Sequence, residues 1–228
     1  MDERFSRSVA LIGQAAADKL KKSKVIVFGA GGVGGYVIEG LARGGVGRID
    51  VVDPDRIELS NFNRQILATE ENLGKYKADA AVSRVGSINP EAECRAVRTF
   101  YLPENADEIN LAEYDYVVDA VDTVAAKTEL AVRCFKKGIN LISCMGTGNK
   151  LDPSAFRIAD IFDTKVCPLC KAMRKTLKER NVTKLKVLYS EEKPVVSVRP
   201  PASISFCPAV AGMTIAACVM RELVLNNN

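Results

Sequence analysis

Residues 25–34 read V-I-V-F-G-A-G-G-V-G. A short apolar run ends in glycines and passes into a helix-compatible segment, Val33–Arg43, after which a second apolar run, Ile49–Val52, ends in Asp53. That is the layout of a strand, a tight turn and a helix N-terminus, with a carboxylate placed for a ribose hydroxyl. Backbone N–H groups and the positive dipole end at such a helix start favour an anion. The glycines let the main chain approach it. The same unit holds the phosphates of NAD or of ATP.

The rest of the chain continues in the same idiom. Residues 2–22 read as one or two helices, with Phe5, Val9, Ile12 and Leu20 as candidate buried positions and a basic cluster at Lys19, Lys21, Lys22 and Lys24. Gly44, Gly45 and Gly47 stop the helix after the glycine turn. A polar loop, D-P-D-R-I-E-L-S-N-F-N-R-Q-I-L, follows Val52. The spacing then predicts a helix over Leu73–Ser87, a strand over Glu93–Phe100 and a strand over Tyr116–Val121 running into Asp122. A helix over Thr123–Lys137 and a strand over Asn140–Met145 come next. Strands alternating with helices of this length argue an α/β fold, a doubly wound, mostly parallel sheet flanked by helices.

Beyond residue 150 the pattern loosens into an α+β extension. Short strands are expected at Phe156–Ile161 and Lys184–Tyr189, a helix at Val166–Arg180, an irregular proline-containing crossover at Lys193–Ala202, and an apolar helix at Pro208–Val224. The asparagine tail is expected to fray. The expected organisation is one domain over 1–228, with an N-terminal arm (1–23), a nucleotide-binding core (24–150) and the extension (151–228).

Composition narrows the chemistry. The chain has no histidine, which excludes histidine triads, histidine general bases and histidine metal ligands. Its seven cysteines are odd in number and several sit in apolar runs, as in L-I-S-C-M, so a disulfide framework is not expected. No apolar run was expected to reach the roughly 18–20 residues that span a bilayer, and the charged start M-D-E-R-F-S-R lacks a signal-peptide core. A cytoplasmic protein is expected.

A triphosphate carries about four negative charges, whereas a helix terminus offers roughly half a positive one. ATP chemistry therefore wants added cations and a carboxylate for Mg²⁺. Arg64 in the polar loop, Lys77 at the next helix and Asp122 after the fourth strand meet that demand. All three map to the carboxyl ends of the strands, where open α/β sheets bind ligands. There is no G-K-[ST], so the turn is not a P-loop.

In order, G-A-G-G-V-G, V-D-P-D, L-S-N-F-N-R-Q, L-G-K-Y-K-A and D-A-V-D-T resemble the motifs of the ThiF/MoeB/HesA adenylating enzymes of the ubiquitin-activating superfamily, over about residues 3–145. The resemblance implies that the turn at Gly29, Gly31, Gly32, Val33 and Gly34 holds ATP and that Asp53 binds ribose. It implies phosphate contacts from Asn61, Arg64 and Lys77 and a magnesium ligand at Asp122. Asp55, Ser60, Asn63 and Thr123 fall in the same motifs as further nucleotide contacts. R-F-S-R at 4–7 is similar to the family's N-terminal arginine motif. By that likeness Arg7 reaches the ATP of a partner subunit in a homodimer.

Relatives that activate sulfur-carrier proteins carry two C-x-x-C pairs around a structural zinc. This chain has only Cys167–Cys170, with Cys207 alone where a second pair would stand and Val210 in the other place, so zinc is not expected. Instead I-N-P-E at 88–91, M-R-K-T-L-K-E-R-N-V-T-K-L-K-V-L-Y-S-E-E-K-P, and S-I-S-F-x-P-A-V-A-G at 203–212 resemble the tRNA threonylcarbamoyladenosine dehydratases. From Lys165 to Lys186 the bases outnumber a single acid, Glu179. Lys171, Arg174, Lys175, Lys178, Arg180, Lys184 and Lys186 are therefore expected to face a tRNA backbone. Aromatic stacking positions are few, so the segment is expected to hold backbone rather than read bases.

The expected reaction is ATP-dependent cyclisation of the modified base by adenylation of its carboxylate, with Mg-ATP as co-substrate. The alternative is adenylation of the Gly-Gly end of a ubiquitin-like sulfur carrier, and a sulfur-transfer protein is a further candidate partner. An NAD-dependent oxidoreductase and a non-catalytic nucleotide-binding scaffold share the glycine unit. The missing histidine and S-N-F-N-R-Q weigh against the oxidoreductase.

Overall fold

The structure, a computed structural model, describes residues 3–225; Met1, Asp2 and the asparagine tail lie outside them. Two helices, α1 (Ser6–Ile12) and α2 (Gln14–Lys22), come first. Of the apolar positions expected to be buried in this arm, Leu20 is, Phe5 and Val9 are half-buried, and Ile12 is exposed. No residue of α1 is buried, because α1 stands outside both cores and has nothing to pack its apolar side against.

From there strands and helices alternate. They are β1 (Lys24–Phe28), α3 (Gly34–Arg43), β2 (Arg48–Val52), α4 (Lys77–Ile88), β3 (Ala96–Val97), β4 (Tyr116–Asp119), α5 (Val124–Lys137) and β5 (Leu141–Cys144). The last part adds β6 (Phe156–Asp160), α6 (Pro168–Glu179), β7 (Lys186–Ser190) and α7 (Phe206–Leu225). The strand order is β3-β2-β1-β4-β5-β7-β6, with every pairing parallel except β6 against β7. The doubly wound sheet is as expected, and the C-terminal α+β part extends that same sheet.

Strand pleating sorts the two cores. Val25 and Val27 of β1 point to one face with α3, α4 and α7, while Ile26 and Phe28 point to the other with α5 and α6. Some boundaries differ from expectation. The helix expected from Leu73 begins at Lys77, because residues 73–76 turn back onto the polar loop instead. Gly74 N–H donates to Ile57 O, Ile57 N–H donates to Lys75 O, and Gly74 sits at φ +78°. The strand expected at Glu93–Phe100 is regular only at Ala96–Val97, although Glu93 O and Arg95 O already accept from β2. β4 ends at Asp119, so Asp122 lies in the following loop, and α6 starts at Pro168 with Cys167 as its N-cap.

Helix α7 runs along α3 at a distance that small residues set. A Cβ on Gly212 would stand 2.4 Å from Val33 O, one on Gly40 would stand 2.7 Å from Ala216 Cβ, and one on Gly44 would meet Met220 Sδ at 2.0 Å. Against expectation, Phe206–Val224 is long and apolar enough to cross a bilayer. Here it packs one side onto α3, as the core helix of a globular fold does.

Buried Glu39 joins α3 to α4. It accepts from Arg84 at 2.8 and 2.9 Å and from Arg43 at 2.7 Å. Burial pushes its carboxyl up, but the hydrogen bonds and charges of Arg84 and Arg43 more than offset this and hold it below the ordinary value. Its folded pKa is thus depressed, so it contributes stability above the ordinary glutamate value of 4.5 that is lost as pH falls through the folded one. Glu39→Gln is expected to lower stability at pH 7 and to flatten the loss of stability between pH 5 and 3, read by urea unfolding at each pH.

Candidate active site

The glycine turn sits in the crevice beside β1, where the chain order reverses between β1 and β4. Gly29 N–H donates to Val52 O and Ala120 N–H donates to Phe28 O, both at 2.8 Å, so the exits of β2, β1 and β4 are tied together. A Cβ on Gly29, whose φ is +89°, would stand 2.6 Å from Ala120 O. One on Gly34 would stand 1.8 Å from Gly29 O. Val33 is the N-cap of α3 and no side chain caps that helix, so its positive end meets the crevice, while within the first turn Gly35 N–H and Tyr36 N–H already donate to Gly31 O and Val33 O.

Asp53 is buried against this loop. One carboxylate oxygen accepts from Ala30 N–H at 2.6 Å and the other from Asp55 N–H at 2.9 Å. Burial raises its pKa against the pull of those two donors and of Lys77. The expected ribose ligand is therefore first a brace for the turn, with only its remaining lone pairs free to meet a hydroxyl.

Lys77 opens α4, and its buried Nζ donates to Asp55 Oδ2 at 2.8 Å while its backbone N–H donates to Asp55 O. Arg64 is half-buried and lies across the loop, its Cγ 3.5 Å from where a Gly32 Cβ would be. Its Nη1 rests on Ser60 O and Asn63 Oδ1. Asn61 is buried and closes a capping box with Glu58, and its Nδ2 donates to Ser60 Oγ at 3.3 Å. Asn63 Nδ2 donates to Ser203 O, pinning the loop to the segment before α7.

Opposite, Asp122 and Thr123 are exposed after β4, Thr123 as the N-cap of α5. Among the described residues Asp122 makes no hydrogen bond or ion pair. A carboxylate left open to solvent on this rim fits a hard divalent cation, which takes oxygen ligands and keeps several waters. The structure thus brings the glycine turn, Asp53, Arg64, Lys77 and Asp122 to one sheet edge. It leaves Arg7 exposed on α1, away from any core.

Three features escaped sequence reading. Gln65 is buried with Nε2 3.9 Å from where a Gly31 Cβ would stand, and its Oε1 has no partner. It lay in plain view beside Arg64 in the loop motif. Pro208 closes the far side of Gly32, its Cβ 3.2 Å from where a Gly32 Cβ would stand. Lys127, 1% exposed, donates to both oxygens of fully buried Asp119 at 3.1 Å and to Cys144 O at 2.6 Å, with Ser143 Oγ also bonded to Asp119. Asp119 Oδ1 in turn accepts from Val121 N–H, which fixes the loop carrying Asp122. A lysine in an amphipathic helix gives no signal that it points inward.

The basic segment divides. Lys171, Lys175, Lys178, Arg180 and Lys184 are exposed, and the first three share one face of α6. Two members do not face outward, which corrects the expectation. Arg174 donates to Ile161 O, Thr164 O and Thr164 Oγ1, and Lys186 pairs with Glu222. Arg174 thereby satisfies carbonyls of the turn at Ile161 and Thr164, and Lys186 meets a carboxylate on α7. Cys207 and Cys170 lie in cores on opposite faces of the sheet. Among the described residues no three Cys, Asp or Glu side chains group as a metal site would require.

Residues 5–227 match the ThiF family. The chain belongs to the ThiF family. This ThiF-family chain is 39% identical to a tRNA threonylcarbamoyladenosine dehydratase of Bacillus subtilis, over 98% of this chain and 95% of that one. It is 43% identical to a sulfur carrier protein adenylyltransferase of Thermus thermophilus over 122 residues, which is 53% of this chain and 45% of that one. Solved structures of the E. coli tRNA N6-threonylcarbamoyladenosine dehydratase superpose throughout. The AMP complex has a TM-score of 0.91 at 29% identity, covering 97% of this chain and 94% of that one. The ATP complex has a TM-score of 0.88 at 29% identity, covering 99% and 97%.

In this ThiF-family fold the buried Lys127–Asp119 pair carries a testable energy. Lys127→Met removes one partner and leaves an uncompensated charge, with an expected loss of about 3–5 kcal/mol. Adding Asp119→Asn is expected to restore much of that loss, measured by urea unfolding with an unchanged m-value.

Proposed function

We propose that this chain catalyses the ATP-dependent dehydration of threonylcarbamoyladenosine in tRNA, closing the modified base into a ring by adenylating its carboxylate. The observation that carries this reading is the extent of likeness. The dehydratase from B. subtilis matches over nearly the full chain, whereas the sulfur-carrier enzyme matches over about half of it.

In the proposed mechanism ATP lies along the crevice with its phosphates at the start of α3, its ribose by Asp53, and its outer phosphates by Arg64 and Lys77. Asp122 would hold a magnesium ion, which would supply added charge neutralisation. A carboxylate oxygen of the base attacks the α-phosphorus, and the bond to the bridging oxygen breaks to release pyrophosphate. The neighbouring urea then attacks the activated carbonyl carbon and loses a proton, and AMP departs with the carboxylate oxygen. The net change in the base is loss of water. Arg64 and Lys77 stabilise the charge that builds on the oxygens around phosphorus, by positioning and electrostatics. No step needs a histidine or a covalent enzyme intermediate.

Two further elements complete the reading. Phe206, Val210 and Met213 are exposed along α7 at helical spacing, and Val195, Val196 and Val198 in the segment that precedes it are exposed too. An apolar face of this kind suits a second copy of the chain, and Arg7 then reaches the neighbouring ATP. The reading goes with one adenylating domain over residues 1–228, a cytoplasmic location and a tRNA partner held by Lys171, Lys175, Lys178, Arg180 and Lys184.

Incubation with ATP, Mg²⁺ and tRNA bearing the modification is expected to release AMP and lower the nucleoside mass by one water. If neither occurs while a carrier ending in Gly-Gly stimulates pyrophosphate exchange, the sulfur-carrier reading replaces this one. Arg64→Ala and Asp122→Ala are each expected to lower kcat by about 10²–10³-fold with the fold retained. Arg7→Ala mixed with Arg64→Ala is expected to regain about a quarter of wild-type activity through mixed dimers. Replacing Lys171, Lys175 and Lys178 together by alanine is expected to weaken tRNA binding and reduce its salt slope by about three.

A further inference from the structure

We propose that Cys167 and Cys170 form a thiol–disulfide exchange site, in which Cys167 is the attacking sulfur and Cys170 the resolving one. The site lies at the N-terminal end of α6. Cys167 is the N-cap of α6, half-buried, and its Sγ accepts the N–H of Cys170 at 3.5 Å. Cys170 is fully buried one turn on. The pair is thus already in contact, one sulfur reachable from solvent and one shielded.

The surroundings separate the two thiols chemically. The Cys170 thiol hydrogen bond lowers the Cys167 pKa most, burial opposes it, and the N–H groups of Cys170 and Leu169 and the charge of Lys150 add to the lowering. The positive end of the twelve-residue helix Pro168–Glu179 acts in the same direction. Cys170 moves the other way, since it donates to Cys167 and is buried. Burial raises the other five, with Cys94, Cys134 and Cys144 pushed up to about 12 and Cys218 to about 11. One thiol in seven is therefore set up as a nucleophile, and its nearest neighbour is another thiol. Thiols that react with oxidants have this combination of acidity, access and an adjacent resolving cysteine.

The co-reactant is a low-molecular-weight disulfide. The Cys167 thiolate attacks one of its sulfurs, forming a mixed disulfide and releasing one small thiolate, which takes up a proton. Cys170 then gives up its proton, its sulfur displaces the second small thiolate from Cys167, and an internal disulfide forms. The two cysteines lose two electrons and two protons, which the small disulfide gains. Because the second step is internal, Cys170 needs no exposure of its own. None of this depends on ATP or tRNA, so the outcome is separate from the proposed activity.

The probe is oxidised glutathione at neutral pH, followed by intact mass and peptide mapping. The wild-type chain is expected to lose two hydrogen atoms, gain no adduct, and yield a peptide cross-linked between Cys167 and Cys170 that dithiothreitol reverses. Cys170→Ser is expected to stop at a single glutathione adduct on Cys167. In a short iodoacetamide pulse, Cys167 is expected to label at least tenfold faster than Cys94 or Cys218 in the same wild-type sample. A wild-type chain that forms no 167–170 link, or that labels Cys167 no faster than those two, overturns the proposal without any variant having to fold.

Discussion

The architecture of the nucleotide edge rests on how closely three backbones meet. Gly29 lies against Ala120 O, and Gly34 against Gly29 O, at distances that exclude a side chain. That contact lets β1, β2 and β4 end at one level and leaves the start of α3 open to the crevice. A Cβ at Gly34 would meet an oxygen inside its own van der Waals shell. The turn must then open, and the helix N-terminus would no longer point at the edge. Asp53 strengthens the arrangement by accepting from Ala30 N–H, so a carboxylate that looks like a ligand also holds the loop shut.

A second close approach supports the first. Gly40 and Gly44 on α3 and Gly212 and Ala216 on α7 bring two helix axes together behind the turn. The last helix of the chain thereby backs the first nucleotide-binding helix, and Pro208 at its start reaches Gly32. On the other side the buried Lys127–Asp119–Ser143 group joins the ends of β4 and β5, and Asp119 holds the loop of Asp122. The rim is thus braced from both faces of the sheet. Such buried ionic groups stabilise only while every member is paired.

Much of this could be read before any coordinates. The glycine turn, Asp53 and the alternation of strands and helices specify a parallel sheet, because each pattern has its own periodicity and its own stop signal. Arg64, Lys77 and Asp122 follow from the charge that a triphosphate must find at the carboxyl edge. The helical spacing of α4 extends four residues ahead of its start at Lys77, into a stretch whose backbone is captured by Ile57. Arg174 and Lys186 were read as outward charges. A count of bases along a segment carries no information about which carbonyl or carboxylate stands opposite.

The sequence by itself determined the sheet, the anion-binding turn and the ring of charges around it, because those depend on local spacing and on residue types that only one arrangement satisfies. Tertiary structure alone decided which of those charges are free. It turned Lys127, Arg174 and Lys186 inward, made Asp53 a brace for the glycine turn, and set Cys167 against Cys170 at the head of α6. Burial and partner geometry arise between segments far apart in the chain, and no local pattern encodes them.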